Sequence, residues 1–225
     1  YPTVTVRDNI AFALKSSKFS ATDVAVKVDE IAAMLEISTI LDKYPSSISG
    51  GQQQRASLAR ALIRDADLYL LDEPMGQLEP QLRTLLRGRI KAYIKERGLT
   101  AILVTHDQTE ANALADRIAV MEDGELQQFA SPEDIKKSPA NIFTGTFVGE
   151  PPMNVFPARA SISEETVCLR LNENIDLSYP ADAFSAELRA SLAEMGDIVL
   201  GVRPYAVQRR DTGSLATVVV NQWLG

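Results

Sequence analysis

The sequence predicts an α/β protein built on a parallel sheet, followed by a smaller β-rich part. Three observations carry that prediction. Two short apolar runs, LYLLDEP at 68–74 and LTAILVTHD at 99–107, flank an amphipathic stretch, PQLRTLLRGRIKAYIKER at 80–97. Strand, helix and strand within roughly 35 residues form a βαβ unit, whose strands lie parallel through a right-handed crossover. Beyond the proline pair at 151–152 the pattern changes to short β-prone pieces: TVCLRL, IVLGVRP and LATVVV.

Taken in order, the chain opens on YPTVTV, a β-prone run. Ser20 and Asp23 resemble a helix cap, and Val24, Val28, Ile31 and Leu35 then recur at helical spacing. A short helix is expected over Ser38 to Lys43, ending before Pro45. QQQRASLARALIRD places Leu58, Ala61 and Leu62 on one face and Arg55, Arg60 and Arg64 largely elsewhere, so it predicts an amphipathic helix. Leu68 to Leu71 is expected to be a strand buried on both faces. Pro80 suits the first turn of the next helix. Asp107 and Glu110 can cap QTEANALAD, RIAVMEDGELQQFA turns at Asp123 and Gly124 as a hairpin, and Ser131, Pro132 and Asp134 open one more helix. A domain boundary falls near residue 150, giving parts 1–150 and 151–225.

The composition narrows what such a fold can do. The 225 residues are 45% hydrophobic, enough for a packed interior. No apolar run approaches the ~20 residues that cross a bilayer, and no signal peptide opens the chain, so any tie to a membrane runs through a partner. A net charge of −7 with scattered basic residues argues against a nucleic-acid binder. Cys168 is the single cysteine, which excludes an internal disulfide or a cysteine metal cluster; its plain reading is a small buried hydrophobe.

In an open parallel sheet, ligands gather outside the carboxyl ends of the strands. Asp72 and Glu73 end one apolar run and His106 ends the other, so the fold is expected to bring them to one rim. An aspartate there can hold Mg²⁺, and a neighbouring carboxylate can orient or activate water. Ser49, Gly50, Gly51 and Gln52 open a helix, where free amides and the helix dipole favour an anion such as phosphate; the glycines keep side chains out of its way.

ISGGQQQR, LYLLDEP and LVTHD, in this order and spacing, resemble the signature, Walker B and switch-histidine motifs of the ABC transporter ATPases. YPTVTVRDNIAF is similar to the segment after that family's Q-loop. SPEDIKKSPANIFTGTFVGEPPMN and GVRP resemble its sugar and glycerol-phosphate importer branch. The resemblance implies a partial ABC-type ATPase domain, with parallel sheet core and helical subdomain, over 1–150, and a partial β-rich, OB-like regulatory domain over 151–225. It further implies that Ser49, Gly50, Gly51 and Gln52 contact the γ-phosphate of ATP held by a second subunit of a head-to-tail homodimer. Asp72 then serves the Mg²⁺ site, Glu73 polarises the attacking water, and His106 senses the γ-phosphate. Transmembrane permease subunits, and through them a solute-binding protein, are the implied partners, at the cytoplasmic face of the cell membrane. Tyr1 to Val6 and Ala21 to Leu41 form the implied docking surface.

The sequence also departs from that pattern. No GxxxxGK[ST] occurs in it, so the chain is expected to be an internal piece of a larger protein and inactive alone. Gly76, Gln77, Leu78 and Glu79 stand where the D-loop commonly reads Ser-x-Leu-Asp, and Ile48 replaces the usual leucine. The resemblance still implies that Glu79 lies among the nucleotide contacts. The alternative is a non-catalytic, ATP-responsive dimerising module that completes a partner's site. A chromosome-maintenance ATPase is disfavoured by the absence of sustained heptads. Arg203, in GVRP, is expected to make a structural ion pair.

Overall fold

Thr5 begins a helix where the sequence suggested extended chain: its side chain accepts from the Asp8 amide, and α1 runs Val6–Ala11. The local Thr-x-x-Asp cap outweighs the β-propensity of the residues around it. The computed structural model describes residues 1–15 and 19–207. Contacts gather the chain into two units, Tyr1–Ile118 and Ala119–Gly225.

In the first unit, α2 (Ala21–Met34) starts on a capping box in which Ser20 accepts from the Asp23 amide and Asp23 accepts from the Ser20 amide. The Ser20 hydroxyl also donates to this carboxylate and holds it below the usual carboxylate range. The expected helix over 38–43 is only a 3₁₀ turn, Ser38–Ile40, followed by a second, Pro45–Ser47. Pro45 pushes the residue before it out of helical geometry, so there is room for one turn. Then come α3 (Gly50–Leu62), β1 (Tyr69–Asp72), α4 (Pro80–Glu96), β2 (Ala101–Val104) and α5 (Gln108–Leu114). β1 and β2 pair in parallel, with Leu71 opposite Leu103 and Asp72 opposite Val104.

Ile10, Leu35, Leu62, Met75, Leu86 and Ile90 lie at the centre of one apolar core, all under 2% exposed. Burying each such side chain is worth about 1.5–3 kcal/mol. β1 does not meet the expectation of burial on both faces. Tyr69 and Leu71 face the core, while Leu70 is 71% exposed, as are Ile102 and Val104 on β2 by more than half. Arg55 is a second departure: it is buried, not on an outer face, and donates to the carbonyls of Leu35 and Glu36. Those carbonyls lie at the C-terminus of α2, where a cation answers both unpaired acceptors and the helix dipole.

In the second unit, β3 (Ile118–Glu122) and β4 (Glu125–Ala130) pair through Asp123 and Gly124, whose φ values of 50° and 84° are those of a primed turn. Ser131 caps α6 (Pro132–Lys137) and Asn141 caps α7 (Ile142–Phe147). β5 (Asn154–Ile162), β6 (Thr166–Asn172), β7 (Ile175–Pro180) and β8 (Asp197–Val202) form an antiparallel sheet in the order β7-β6-β5-β8, with α8 (Ala186–Met195) against β5. TVCLRL and IVLGV thus form strands, and Cys168 is half-buried on β6. LATVVV lies outside the described residues.

Arg203 corrects its expectation. Among the described residues the buried guanidinium meets carbonyls and no carboxylate: Nη1 donates to Gly145 at 2.9 Å and Val148 at 2.6 Å, and Nη2 to Lys136 at 3.2 Å. Among the described residues, no helix is long and apolar enough to cross a membrane.

Candidate functional site

Ser49 is the N-cap of α3, and with Gln52 it closes a capping box. The Ser49 hydroxyl accepts from the Gln52 amide at 3.3 Å, and Gln52 Oε1 accepts from the Ser49 amide at 3.0 Å. Gly50 and Gly51 are left with amides that make no hydrogen bond among the described residues, at a positive helix end open to solvent. The predicted anion site is therefore on the surface, with two amides to offer.

The paired glycines also answer a steric demand from the turn after β1. A Cβ at Gly51 would stand 3.0 Å from the backbone oxygen of Gln77, and one at Gly50 would stand 2.9 Å from Gln77 Oε1. The first contact is with backbone, which cannot swing aside. The start of α3 is pressed against the turn that follows β1, and glycine allows the approach.

At the strand ends, the Glu73 amide donates to Val104, extending the parallel ladder by one residue. Glu73 has φ of 44°, left-handed backbone that costs a non-glycine residue roughly 1–2 kcal/mol. That conformation turns its carboxylate toward β2, where Oε1 accepts from the His106 amide at 3.0 Å and lies 2.7 Å from His106 Nδ1. Hydrogen bonding to Glu73, then its negative charge, raises the His106 pKa above 6.5. The ring remains 82% exposed. Asp72 ends β1 in the open, and Glu79 is the N-cap of α4 with no side-chain cap bond.

Among the described residues no three His, Cys, Asp or Glu side chains cluster as a metal site. A single exposed Asp72 carboxylate fits Mg²⁺ in the way that ion binds with nucleotides, through one or two carboxylates plus phosphate oxygens and water.

The structure thus joins Glu73 to His106 directly and brings the 49–52 cap against the turn at Gln77. Asp72 and Glu79 flank that assembly without hydrogen bonds to it. Other side chains hold it together. Gln54 Nε2 donates to the Glu73 carbonyl at 2.7 Å, and its Oε1 accepts from the Gln77 amide at 2.9 Å. Arg83, on α4, donates to the carbonyls of Gly76 and Leu78 and to Asp107 Oδ2 at 3.0 Å. Asp107 in turn caps α5 through the amides of Thr109 and Glu110. Glu110 does not cap: its side chain is buried, accepts from the Thr105 hydroxyl, and is pushed up in pKa by that burial. Nothing in the residue pattern marks Gln54 or Arg83, because their partners are mostly main-chain atoms.

Residues 1–76 match the model of the ABC transporter family. The trehalose import ATP-binding protein SugC of Mycobacterium tuberculosis is 39% identical over 211 residues, 92% of this chain and 51% of the relative. The sn-glycerol-3-phosphate import ATP-binding protein UgpC of Cereibacter sphaeroides is 37% identical, covering 100% of this chain and 61% of the relative. The chain therefore spans between half and two thirds of the length of these curated relatives. Among solved structures, the dimeric post-hydrolysis state of the ATP-binding cassette MJ0796 bound to ADP and Pi matches with a TM-score of 0.53 at 27% identity, over 58% of each chain. The order of α3, β1, β2 and their motifs agrees with these likenesses, and the chain is similar to the ATP-binding subunits of sugar and glycerol-phosphate importers over most of its length.

Proposed function

We propose that this chain is part of an ATP-hydrolysing subunit that energises a sugar or glycerol-phosphate importer. The observation that carries the reading is the hydrogen-bonded pair of Glu73 and His106 at the carboxyl ends of two parallel strands, beside an exposed helix cap. In this reading Glu73 accepts a proton from water as that water attacks the γ-phosphate. His106 holds Glu73 by its amide and ring and faces the phosphate, and Asp72 holds Mg²⁺. Ser49, Gly50, Gly51 and Gln52 act in trans, presenting the α3 amides to ATP on a second copy in a homodimer, with Glu79 beside the same contact. Magnesium supplies charge neutralisation at the phosphates. The residues' own share is placement and charge.

The finer assignments belong to the same proposal. Residues 1–150 form the ATPase part and 151–225 the start of an OB-like regulatory domain, for which the antiparallel sheet β7-β6-β5-β8 is the support. Permease subunits dock on Tyr1 to Val6 and Ala21 to Leu41. A surface cleft of about 190 Å³ beside Tyr1, Val6 and Asn9 supports that side of the molecule as the docking face. The subunit then works at the cytoplasmic face of the cell membrane.

The second reading, a non-catalytic ATP-responsive dimerising module that completes a partner's site, is favoured by the exposed α3 cap, whose start lies open to solvent. Magnesium-dependent phosphate release separates the two. The full-length subunit is expected to hydrolyse ATP and to lose at least about a hundredfold in rate on Glu73→Gln. The 225-residue chain alone is expected to show none. Turnover by the chain alone overturns its expected inactivity, and full-length turnover indifferent to Glu73→Gln overturns the proposed site. ATP-dependent dimerisation without turnover by the full-length subunit establishes the second reading.

A further inference from the structure

One amide stands between the helix cap and the strand-end pair. Gln54 sits a turn into α3, half-buried, and uses both ends of its side chain. Nε2 donates 2.7 Å to the carbonyl of Glu73, the residue with left-handed backbone; Oε1 accepts 2.9 Å from the amide of Gln77, the residue against which Gly50 and Gly51 are packed. A primary amide on this stem carries a donor and an acceptor side by side, as the two bonds require. The neighbouring Gln52 and Gln53 are spent locally, on the capping box and on the Pro45 carbonyl. We propose that Gln54 is a positioning residue, which fixes the backbone of Glu73 and thereby the carboxylate that faces His106, and ties that placement to the Gln77 turn under the α3 cap.

The physical argument rests on the strained residue. A peptide held at positive φ relaxes unless its surroundings over-determine it. The Glu73 amide is fixed by Val104, and the Glu73 carbonyl by Gln54 and, at 3.3 Å, the Gly76 amide. Removing the short bond frees the carbonyl end of that peptide, and the carboxylate moves with it. Movement of the turn against α3 is sensed by the same side chain through Gln77.

The inference rests on the proposed ATPase reading, and three substitutions in the full-length subunit test it. Gln54→Met keeps the length and loses both bonds; Gln54→Lys keeps only a donor for Glu73; Gln54→Glu keeps only an acceptor for Gln77. Gln54→Met is expected to speed hydrogen exchange at the Gln77 amide about tenfold, to return the His106 midpoint toward 6.5, and to lower kcat about 10- to 100-fold with KM for ATP nearly unchanged. Gln54→Lys is expected to restore the His106 midpoint and most of kcat while Gln77 exchange stays fast. Gln54→Glu is expected to do the reverse. A wild-type exchange rate at Gln77 in Gln54→Met, or fast exchange with His106 midpoint and kcat intact, overturns the role. A wild-type subunit without turnover sinks the ATPase reading, and the His106 midpoint in Gln54→Met then decides the positioning claim by itself.

Discussion

The α3 cap and the strand-end pair differ in how the chain builds them. Ser49 and Gln52 satisfy each other within three residues, and the cap needs help from elsewhere only in being left room by Gln77. Glu73 and His106 are 33 residues apart, and their meeting depends on parallel register, on a left-handed backbone and on Gln54. The cap is a local structure limited by sterics. The pair is a non-local structure limited by hydrogen bonds. Disturbing the first is expected to show as lost stability, and disturbing the second as altered proton affinity.

The largest effect should come from filling the space that the cap leaves empty. Gly51→Val puts a branched side chain on a Cβ already 3.0 Å from the Gln77 backbone oxygen, and is expected to cost about 1–3 kcal/mol in urea unfolding. Gly88, inside α4 with nothing within 4 Å of its Cβ position, is the contrast. Gly88→Ala should stabilise by about 0.5–1 kcal/mol, since alanine is the better helix former. If both substitutions stabilise, the close approach of α3 to the turn is not what requires glycine.

Next in size is the capping box. Ser49→Ala removes the acceptor for the Gln52 amide and is expected to cost about 1 kcal/mol, measured by the same unfolding. Gln52 Oε1 keeps its bond to the residue 49 amide, so the loss stays at the scale of one cap. A cost as large as that of Gly51→Val would mean that Ser49 bears on the Gln77 turn as well, against the separation drawn between local and non-local parts.

The same separation explains how much was legible in the residues. The cap of Ser20 with Asp23 and the helix starts at Ser49 and Ser131 form where the sequence implies, and in the last two the serine pairs with Gln52 and Asp134 three residues on. The rim of Glu73 and His106 followed from one general rule, that parallel strands present their carboxyl ends together. Their 2.7 Å contact did not follow, because it needs positive φ at Glu73 and no residue type announces that. Arg55 departs from its expected face for a related reason: helical periodicity assigns a face by polarity, whereas its guanidinium is buried against the carbonyls of Leu35 and Glu36. Leu70, Ile102 and Val104 show the limit from the other side. Apolar character raised the expectation of a strand covered on both faces, but it does not say what does the covering.

The smallest effect on stability, and the most direct probe of the pair, is the titration of His106. Glu73 raises its pKa above 6.5, by hydrogen bond first and charge second. A histidine whose folded pKa is raised contributes stability that is complete below 6.5 and disappears as pH climbs through the raised value. The ring is 82% exposed, so solvent screens the pair and the contribution to unfolding should stay close to experimental error. The midpoint itself is not hidden in this way. Imidazole proton shifts in NMR are expected to titrate above 6.5 in the native chain and to move back toward 6.5 in Glu73→Gln, where the amide keeps a hydrogen-bond acceptor and loses the charge. Added salt should shrink the difference between the two chains, because only the charge part is screened. A midpoint that Glu73→Gln leaves in place would mean that the hydrogen bond, which the amide retains, sets it, and that the charge of Glu73 adds nothing measurable.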